Sequence, residues 1–549
     1  MKSIGIGIDD FKKLILTNSF YIDKTKFIED IVQDTSEVQL ITRPRRFGKT
    51  LNLSMLNYFY TLENREENKS LFKGLYIENS PTFIEQGKYP VIFISFKDIQ
   101  AKTSQSCINS ITILIGELYK KYSFILNSLN ELDKPTYIKY ATQNINIEEL
   151  QRSLISLCYF LYTYYKKEII LLIDEYDTPI ISAYEYDYYD EIKTFFTVLF
   201  GSSLKGNPYL KKAVLTGITR ISKENIFSGL NNINVNSILE KSFSQYFGLT
   251  EKEVENSLKE YELEEKSKEV QNWYNGYNFG GIRVYNPYSI TNFIKNKELI
   301  PYWVNSSSNS LINNLLINSN DYIFEDLSNL FLGKSIEKNI DIYANFNELK
   351  NVEQIWYLLL HSGYLTIKNK ISTYKYSLII PNEEIFSFFE RDFIKSFINS
   401  RDKFDDILND FVKCNFKTFE EKVKEIMLQI ISVFDVKQNY DERYYHIFFL
   451  GMILGLRKNY YITSNRESGI GRYDIMLEPK NKQNKAFILE LKIAKSEKEL
   501  EKKAIEGIEQ IKKKKYITEL KYKELENIYL VGISFYKKTL KIIAENYKN

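Results

Sequence analysis

Val38-Gln39-Leu40-Ile41-Thr42-Arg43-Pro44-Arg45-Arg46-Phe47-Gly48-Lys49-Thr50-Leu51 reads as a short apolar strand, a basic turn and the first residues of a helix. A phosphate-binding loop needs that context. Backbone amides at the helix start, aided by the helix dipole, hold phosphates, Lys49 reaches the β and γ groups, and the Thr50 hydroxyl ligates Mg²⁺. Gly48 leaves room for close backbone approach, and Arg46 and Phe47 complete the nucleotide-contacting turn. The usual pattern carries Gly where Arg43 stands, so the reading needs support from elsewhere in the chain.

That support comes from Ile169-Ile170-Leu171-Leu172-Ile173-Asp174-Glu175, an apolar strand ending in two acids. Such a strand places Asp174 at the sheet edge beside the loop, where it holds Mg²⁺ through water while Glu175 polarises the attacking water. Taken alone, two acids after a strand fit a helix cap or a loop surface equally well. A further strand, Ala213 to Thr216, runs into Gly217-Ile218-Thr219-Arg220 and offers Thr216 as a polar sensor and Arg220 as a cation near the γ-phosphate. Arg220 equally fits a strand-end cap or an ion pair. Val38 to Thr42, Val91 to Phe96, Ile169 to Ile173 and Ala213 to Thr216 are apolar throughout rather than alternating, as strands covered on both faces by helices are. The fold class is therefore α/β, with a parallel sheet and crossover helices.

The chain has 549 residues, 44 % apolar and 26 % charged, which suits two or three folded units and not disorder. Three cysteines, Cys107, Cys158 and Cys414, lie far apart, with no paired spacing for zinc and no even-numbered disulfide framework. The N-terminus reaches Asp9 and Asp10 without a long apolar core, and Ile447 to Leu456 is too short to span a bilayer, so a cytoplasmic protein with no membrane partner is expected. The net charge of +3 hides an asymmetry, because residues 480–549 hold 18 Lys against 10 Glu. That stretch suits a polyanion, and also a solvated helix face.

Near the C-terminus, Gly471-Arg472-Tyr473-Asp474-Ile475-Met476-Leu477 and Ala486-Phe487-Ile488-Leu489-Glu490-Leu491-Lys492-Ile493 read as successive strands. Alternation projects Glu490 and Lys492 from one face, where they converge with Asp474. Two carboxylates there can hold Mg²⁺ or Mn²⁺ against a scissile phosphate, and the ammonium can orient a hydroxide nucleophile. Glu442, at the start of the helix containing Tyr445 and His446, offers a further metal carboxylate. Gln510, followed by Lys512 to Lys515, is placed to touch a phosphate backbone. His446 is read as structural, and Tyr445 and Phe448 as core.

Phe11, Tyr21-Ile22-Asp23-Lys24-Thr25, the Arg43 to Thr50 loop and Asp174-Glu175-Tyr176-Asp177 occur in an order that resembles the predicted AAA-ATPase-like family of bacterial and archaeal proteins. Thr216 to Ser222, Phe247-Gly248-Leu249-Thr250, Trp273 to Tyr277 and Tyr285-Asn286-Pro287 agree with it. The resemblance, over roughly residues 4–300, implies an additional-strand ATPase core, tolerates the change at Arg43, and implies a C-terminal nuclease-like partner. The order Asp474, Glu490, Lys492 over about residues 436–540 resembles the PD-(D/E)XK nuclease superfamily. The expected layout is an ATPase-like core over 1–240, a helical lid with a winged-helix-like hairpin around Tyr364 to Ile380 over 241–400, a helical connector over 401–437 and a nuclease-like, restriction-endonuclease-like α/β domain over 438–549.

The expected function is ATP binding and hydrolysis coupled to a Mg²⁺-dependent nucleic-acid phosphodiesterase, with DNA favoured as partner. The alternative is a nucleotide-driven switch whose C-terminal domain binds nucleic acid or protein without cutting. A homo-oligomer is compatible with either.

Overall fold

The computed structural model describes residues 2–219, 227, 231–304, 326–327, 329–340, 354–389, 401–430, 442–468 and 471–547. Five strands form the first sheet: β1 (Val38–Thr42), β2 (Val91–Ser95), β3 (Ile169–Asp174), β4 (Leu210–Gly217) and β5 (Ile233–Asn236). All pair in parallel in the order β2-β3-β4-β1-β5. Every residue of β1 and β3 is buried, which is why their sequences do not alternate. Because β4 lies between β1 and β3, the loop after β1, the acids after β3 and Thr216 of β4 share one sheet edge. This interposed strand is the arrangement that the additional-strand core requires.

The helix Lys49–Tyr60 follows the loop and is covered on several sides, burying Leu53, Met55, Leu56 and Phe59. Phe11 is fully buried, its ring 5.2 Å from Phe72, and its amide donates to Ser54 Oγ on that helix at 3.0 Å. The region read as mainly helical also holds short strands. β6 (Leu249–Thr250), β7 (Tyr277–Phe279) and β8 (Ile282–Tyr285) form an antiparallel sheet, too short to stand out as periodicity. The hairpin expected near Tyr364 is present as β10 (Thr366–Lys370) and β11 (Lys375–Ile379), with β9 (Ile336–Asn339) on the other side of β11.

Contacts divide the chain into two units, residues 1–318 with 337–384, and residues 319–336 with 385–549. The second unit holds β12 (Tyr460–Ser468), β13 (Gly471–Pro479), β14 (Ala486–Ile493), β15 (Ile528–Tyr536) and β16 (Thr539–Tyr547), ordered as in the chain. Only β14 and β15 are parallel, and the helix Leu500–Lys513 crosses between them. β12 and β16 were not singled out in the sequence. The helices Arg401–Lys413 and Phe416–Ile430, read there as a connector, pack onto this sheet: Phe411 lies 4.8 Å from Phe487, and Glu420 Oε2 accepts from the Ile542 amide at 2.9 Å. Tyr445 stacks on Phe535 at 4.3 Å and Phe448 is buried, so both are core.

The crossover helix sits close against its sheet because Gly532 has no side chain: a Cβ there would lie 1.9 Å from Ala504 O. A backbone carbonyl cannot swing away, so Gly532→Ala is expected to destabilise the second unit by about 3 kcal/mol or more, the upper range for overpacking. Gly201→Ala, in a helix with open space, is expected to be neutral or stabilising. Urea unfolding of the two variants checks this; equal midpoints would refute the close-packing account. No helix among the described residues is long and apolar enough to cross a membrane.

Candidate functional sites

Arg43 occupies the position of the usual leading Gly because its side chain turns away from the loop. It is fully buried, donating to Thr42 O at 2.8 Å and Asn236 O at 2.7 Å, with its guanidinium 5.4 Å from the Phe247 ring. Burial pulls the guanidinium down to about 9. Phe47 is also a core side chain, its ring 4.9 Å from Tyr277 and 5.1 Å from Phe279. Of the expected nucleotide contacts, Phe47 therefore offers only its backbone. Gly48 takes φ 83°, a left-handed conformation that costs Gly little, and releases the chain into the helix that begins with Lys49.

The remaining loop residues converge. Asp174, with no exposed surface, accepts from Thr50 Oγ1 at 2.8 Å and from Thr216 Oγ1 at 2.6 Å, one hydroxyl from the loop helix and one from β4. Burial raises the Asp174 carboxyl, and the two hydroxyls oppose that rise. Lys49 Nζ donates to Pro44 O at 3.0 Å; burial lowers its pKa, while Glu175, Asp174 and Asp177 work to keep it charged. Glu175 adopts φ 50°, uncommon for a residue with a side chain, and its Oε2 accepts from Thr178 Oγ1 at 3.2 Å. A cavity of about 530 Å³ opens here, lined by Arg46, Lys49, Thr50 and Glu175 together with Ile8 and Tyr288. Thr50 and Asp174 fit Mg²⁺ as a hydroxyl ligand and an adjacent carboxylate acting through water.

Three roles were not assigned from the sequence. Asp177 holds the turn after β4, accepting from the Ile218 and Thr219 amides at 2.8 Å each and from Thr219 Oγ1 at 2.9 Å. Tyr288 places its ring 4.8 Å from the Arg46 guanidinium, and the N-terminal segment at Ile8 joins the cavity. Tyr288 directly follows Tyr285-Asn286-Pro287, a stretch noticed only as a resemblance. Arg220 lies outside the described residues.

In the second unit, Asp474 of β13 meets Glu490 and Lys492 of β14. Asp474 Oδ2 accepts from the Leu491 amide at 2.7 Å, and Lys492 Nζ donates to Glu490 Oε1 at 3.0 Å. Gln510, on the helix held close by Gly532, donates through Nε2 to the same Glu490 oxygen. Gln510 thus contacts the carboxylate itself, where the sequence suggested a phosphate. The other oxygen, Glu490 Oε2, is buried and has no hydrogen-bond partner among the described residues. An orphaned carboxylate oxygen is costly unless a cation completes it, so the donor set fits a divalent metal held by Asp474 and Glu490. Among the described residues no group of three or more His, Cys, Asp and Glu gathers, and the Glu442 side chain lies outside them. His446 Nε2 is 3.1 Å from Asp474 O and 2.9 Å from Ser464 Oγ, a structural tie beside the site. Tyr516, not singled out in the sequence, donates to Arg472 O at 2.5 Å at the start of β13.

Burial and the neighbouring Asp474 push Glu490 up to about 7, against the pull of Lys492. Raised above its unfolded value of 4.5, the group binds more protons in the folded state, so its stabilisation is present at pH 4.5 and lost as pH rises through about 7. In EDTA, the second unit is expected to lose stability over that window, and Glu490→Gln to flatten the slope. Urea titrations at several pH values check the sign; a rise in stability from this group would contradict it.

Residues 5–227 match the family model described as Predicted AAA-ATPase, and residues 440–545 match the PD-(D/E)XK nuclease superfamily. The chain thus carries an AAA-ATPase-like region followed by a nuclease-like one. It is similar to an uncharacterized protein in the vnfD 5' region of Azotobacter chroococcum mcd 1, 27 % identical over 318 residues, which cover 57 % of this chain and 56 % of the relative. The match spans little more than half of either protein.

Proposed function

We propose that this chain binds and hydrolyses ATP in its first unit and, under the control of that cycle, cleaves nucleic acid, with DNA favoured, in its second. The observation that carries the nucleotide half is the convergence of Thr50 and Thr216 on Asp174 next to the cavity that Lys49, Thr50 and Glu175 line. Lys49 and the amides at the helix start bind the phosphates, Thr50 and Asp174 hold Mg²⁺, and Glu175 polarises the attacking water. Thr216 reports the γ-phosphate to β4 through Asp174. Arg46 closes the mouth with Tyr288, and Arg220 is kept as the cation near the γ-phosphate.

The nuclease half is supported by the orphaned Glu490 Oε2 beside Asp474 and Lys492. Asp474 and Glu490 hold Mg²⁺ or Mn²⁺, with Glu442 as a further carboxylate. A metal held there would polarise the scissile phosphate and lower the pKa of water. Lys492 orients the hydroxide and stabilises charge on the phosphate, while Gln510 holds the Glu490 carboxylate in place. The lysines of residues 480–549 supply the electrostatic attraction to a polyanion.

The experiment is incubation of the purified protein with linear, circular and single-stranded DNA and with RNA, in Mg²⁺ or Mn²⁺, with and without ATP. Metal-dependent cutting that responds to ATP is the expected result. Intact substrates throughout, with ATP still hydrolysed, would replace cleavage by binding alone.

A further inference from the structure

Glu384 is fully buried, and its two oxygens accept from Ser289 Oγ at 3.0 and 2.8 Å while Oε1 also accepts from the Trp303 amide at 2.7 Å. Burial pushes its carboxyl up to about 7. A carboxyl group in such a place is retained only with its partners satisfied. The contact therefore ties the helix Pro287–Asn296, the chain around Trp303 and the chain leaving β11 into one arrangement.

Trp303 and Ser289 both lead to the phosphate loop. The Trp303 indole Nε1 donates to Arg45 O at 3.0 Å. Packing there is tight, since a Cβ at Gly363 would lie 3.0 Å from Pro44 Cβ and 3.4 Å from Trp303 Cη2. Ser289 is adjacent in sequence to Tyr288, whose ring covers the Arg46 guanidinium. Arg46 has φ 67°, a conformation that a non-Gly residue keeps only when its surroundings hold it.

We infer that Glu384 is a positioning residue for the phosphate loop, acting through Trp303 and through Ser289 with Tyr288 to hold Pro44 to Arg46 in the ATP-binding conformation. The inference rests on the nucleotide-binding reading above. The effect of Glu384 passes through one indole and one helix start. In chain order it is the last residue of the first unit.

The test uses the full chain labelled with 5-fluorotryptophan, whose three tryptophans, Trp273, Trp303 and Trp356, give three ¹⁹F resonances assigned with Trp303→Phe. ATP is added in EDTA so that binding is read without turnover. In the parent, ATP is expected to shift the Trp303 resonance. Glu384→Gln is expected to keep that shift and to bind ATP within about twofold of the parent, because the amide oxygen still accepts from Trp303 and the amide nitrogen can donate to Ser289. Glu384→Ala is expected to weaken ATP binding on the order of tenfold and to uncouple the Trp303 resonance from ATP. Ser289→Ala, a milder change, should move both readouts in the same direction and keeps the test readable if Glu384→Ala does not fold. ATP affinity unchanged in both alanine variants, or a Trp303 resonance blind to ATP in a parent that binds it, would overturn the inference alone. A parent that binds ATP no better than Lys49→Ala would overturn the nucleotide reading and this inference with it.

Discussion

Glu175→Gln is expected to bind ATP as the parent does and to hydrolyse it 10²- to 10⁴-fold more slowly, on the order of what a positioned general base contributes. The substitution is isosteric, leaves the left-handed backbone at φ 50° occupied by a side chain of the same length, and can still accept from Thr178 Oγ1. The basicity of the carboxylate is lost together with its negative charge, while Asp174 and Asp177 remain to keep Lys49 charged. Lys49→Ala separates binding from chemistry in the opposite way. It removes the ammonium directed at the β and γ phosphates and leaves Asp174, Glu175 and Asp177 without their shared cation. Its ATP affinity is expected to fall on the order of 100-fold, since a buried charge-assisted contact is worth about 3 kcal/mol. Equilibrium ATP binding and single-turnover hydrolysis, measured side by side, decide the matter. Parental turnover in Glu175→Gln would remove Glu175 from the chemistry and leave it a loop residue with an unusual backbone.

Asp474→Asn is expected to lower metal-dependent cleavage on the order of 10³-fold, the equivalent of several kcal/mol of charge stabilisation at the phosphate. Asn is the informative choice because its carbonyl oxygen can keep the Leu491 amide bonded at the position where Asp474 Oδ2 accepts it at 2.7 Å. Asp474→Ala would orphan that amide, and a loss of activity could then be a loss of fold. Mn²⁺ affinity, read by calorimetry on the same samples, should fall in parallel with cleavage. Cleavage that survives Asp474→Asn undiminished would move the scissile site elsewhere or assign the activity to a contaminant. Unaltered Mn²⁺ binding with lost cleavage would make Asp474 a catalytic group that does not hold metal.

The N-terminal site was legible because its parts are local in sequence. Arg43 to Thr50 is one loop, Asp174-Glu175 ends one strand, and the mostly apolar, non-alternating runs of β1 and β3 announce a sheet covered on both faces. The second site was legible for a similar reason, since Glu490 and Lys492 lie two apart on β14, where alternation alone puts them on one face. Less was visible where the signal is a single side chain acting at long sequence distance. Tyr288 over Arg46, Trp303 on Arg45 O and Glu384 under both are separated by tens to hundreds of residues, and each is an unremarkable residue in its own segment. The short strands β6 to β8 were missed because two to four residues cannot establish a period. The edge strands β12 and β16 mix polar and apolar positions, so they did not stand out from the loops around them.

What the amino-acid sequence determined by itself is the order of elements along the chain: a basic Gly-Lys-Thr loop between a strand and a helix, two acids at a strand end, and a distant Asp followed by Glu and Lys on a second strand. Local rules govern such features, because strand alternation and the start of a helix depend on neighbours a few residues away. Tertiary structure alone decided which way the side chains of those stretches turn. It sent Arg43 and Phe47 into the core, gave Asp174 two hydroxyls from separate elements, and brought Gln510 to Glu490 because Gly532 lets a helix approach its sheet. Burial and partner choice arise from elements far apart in the chain packing together, and no window of sequence contains both sides of such a contact.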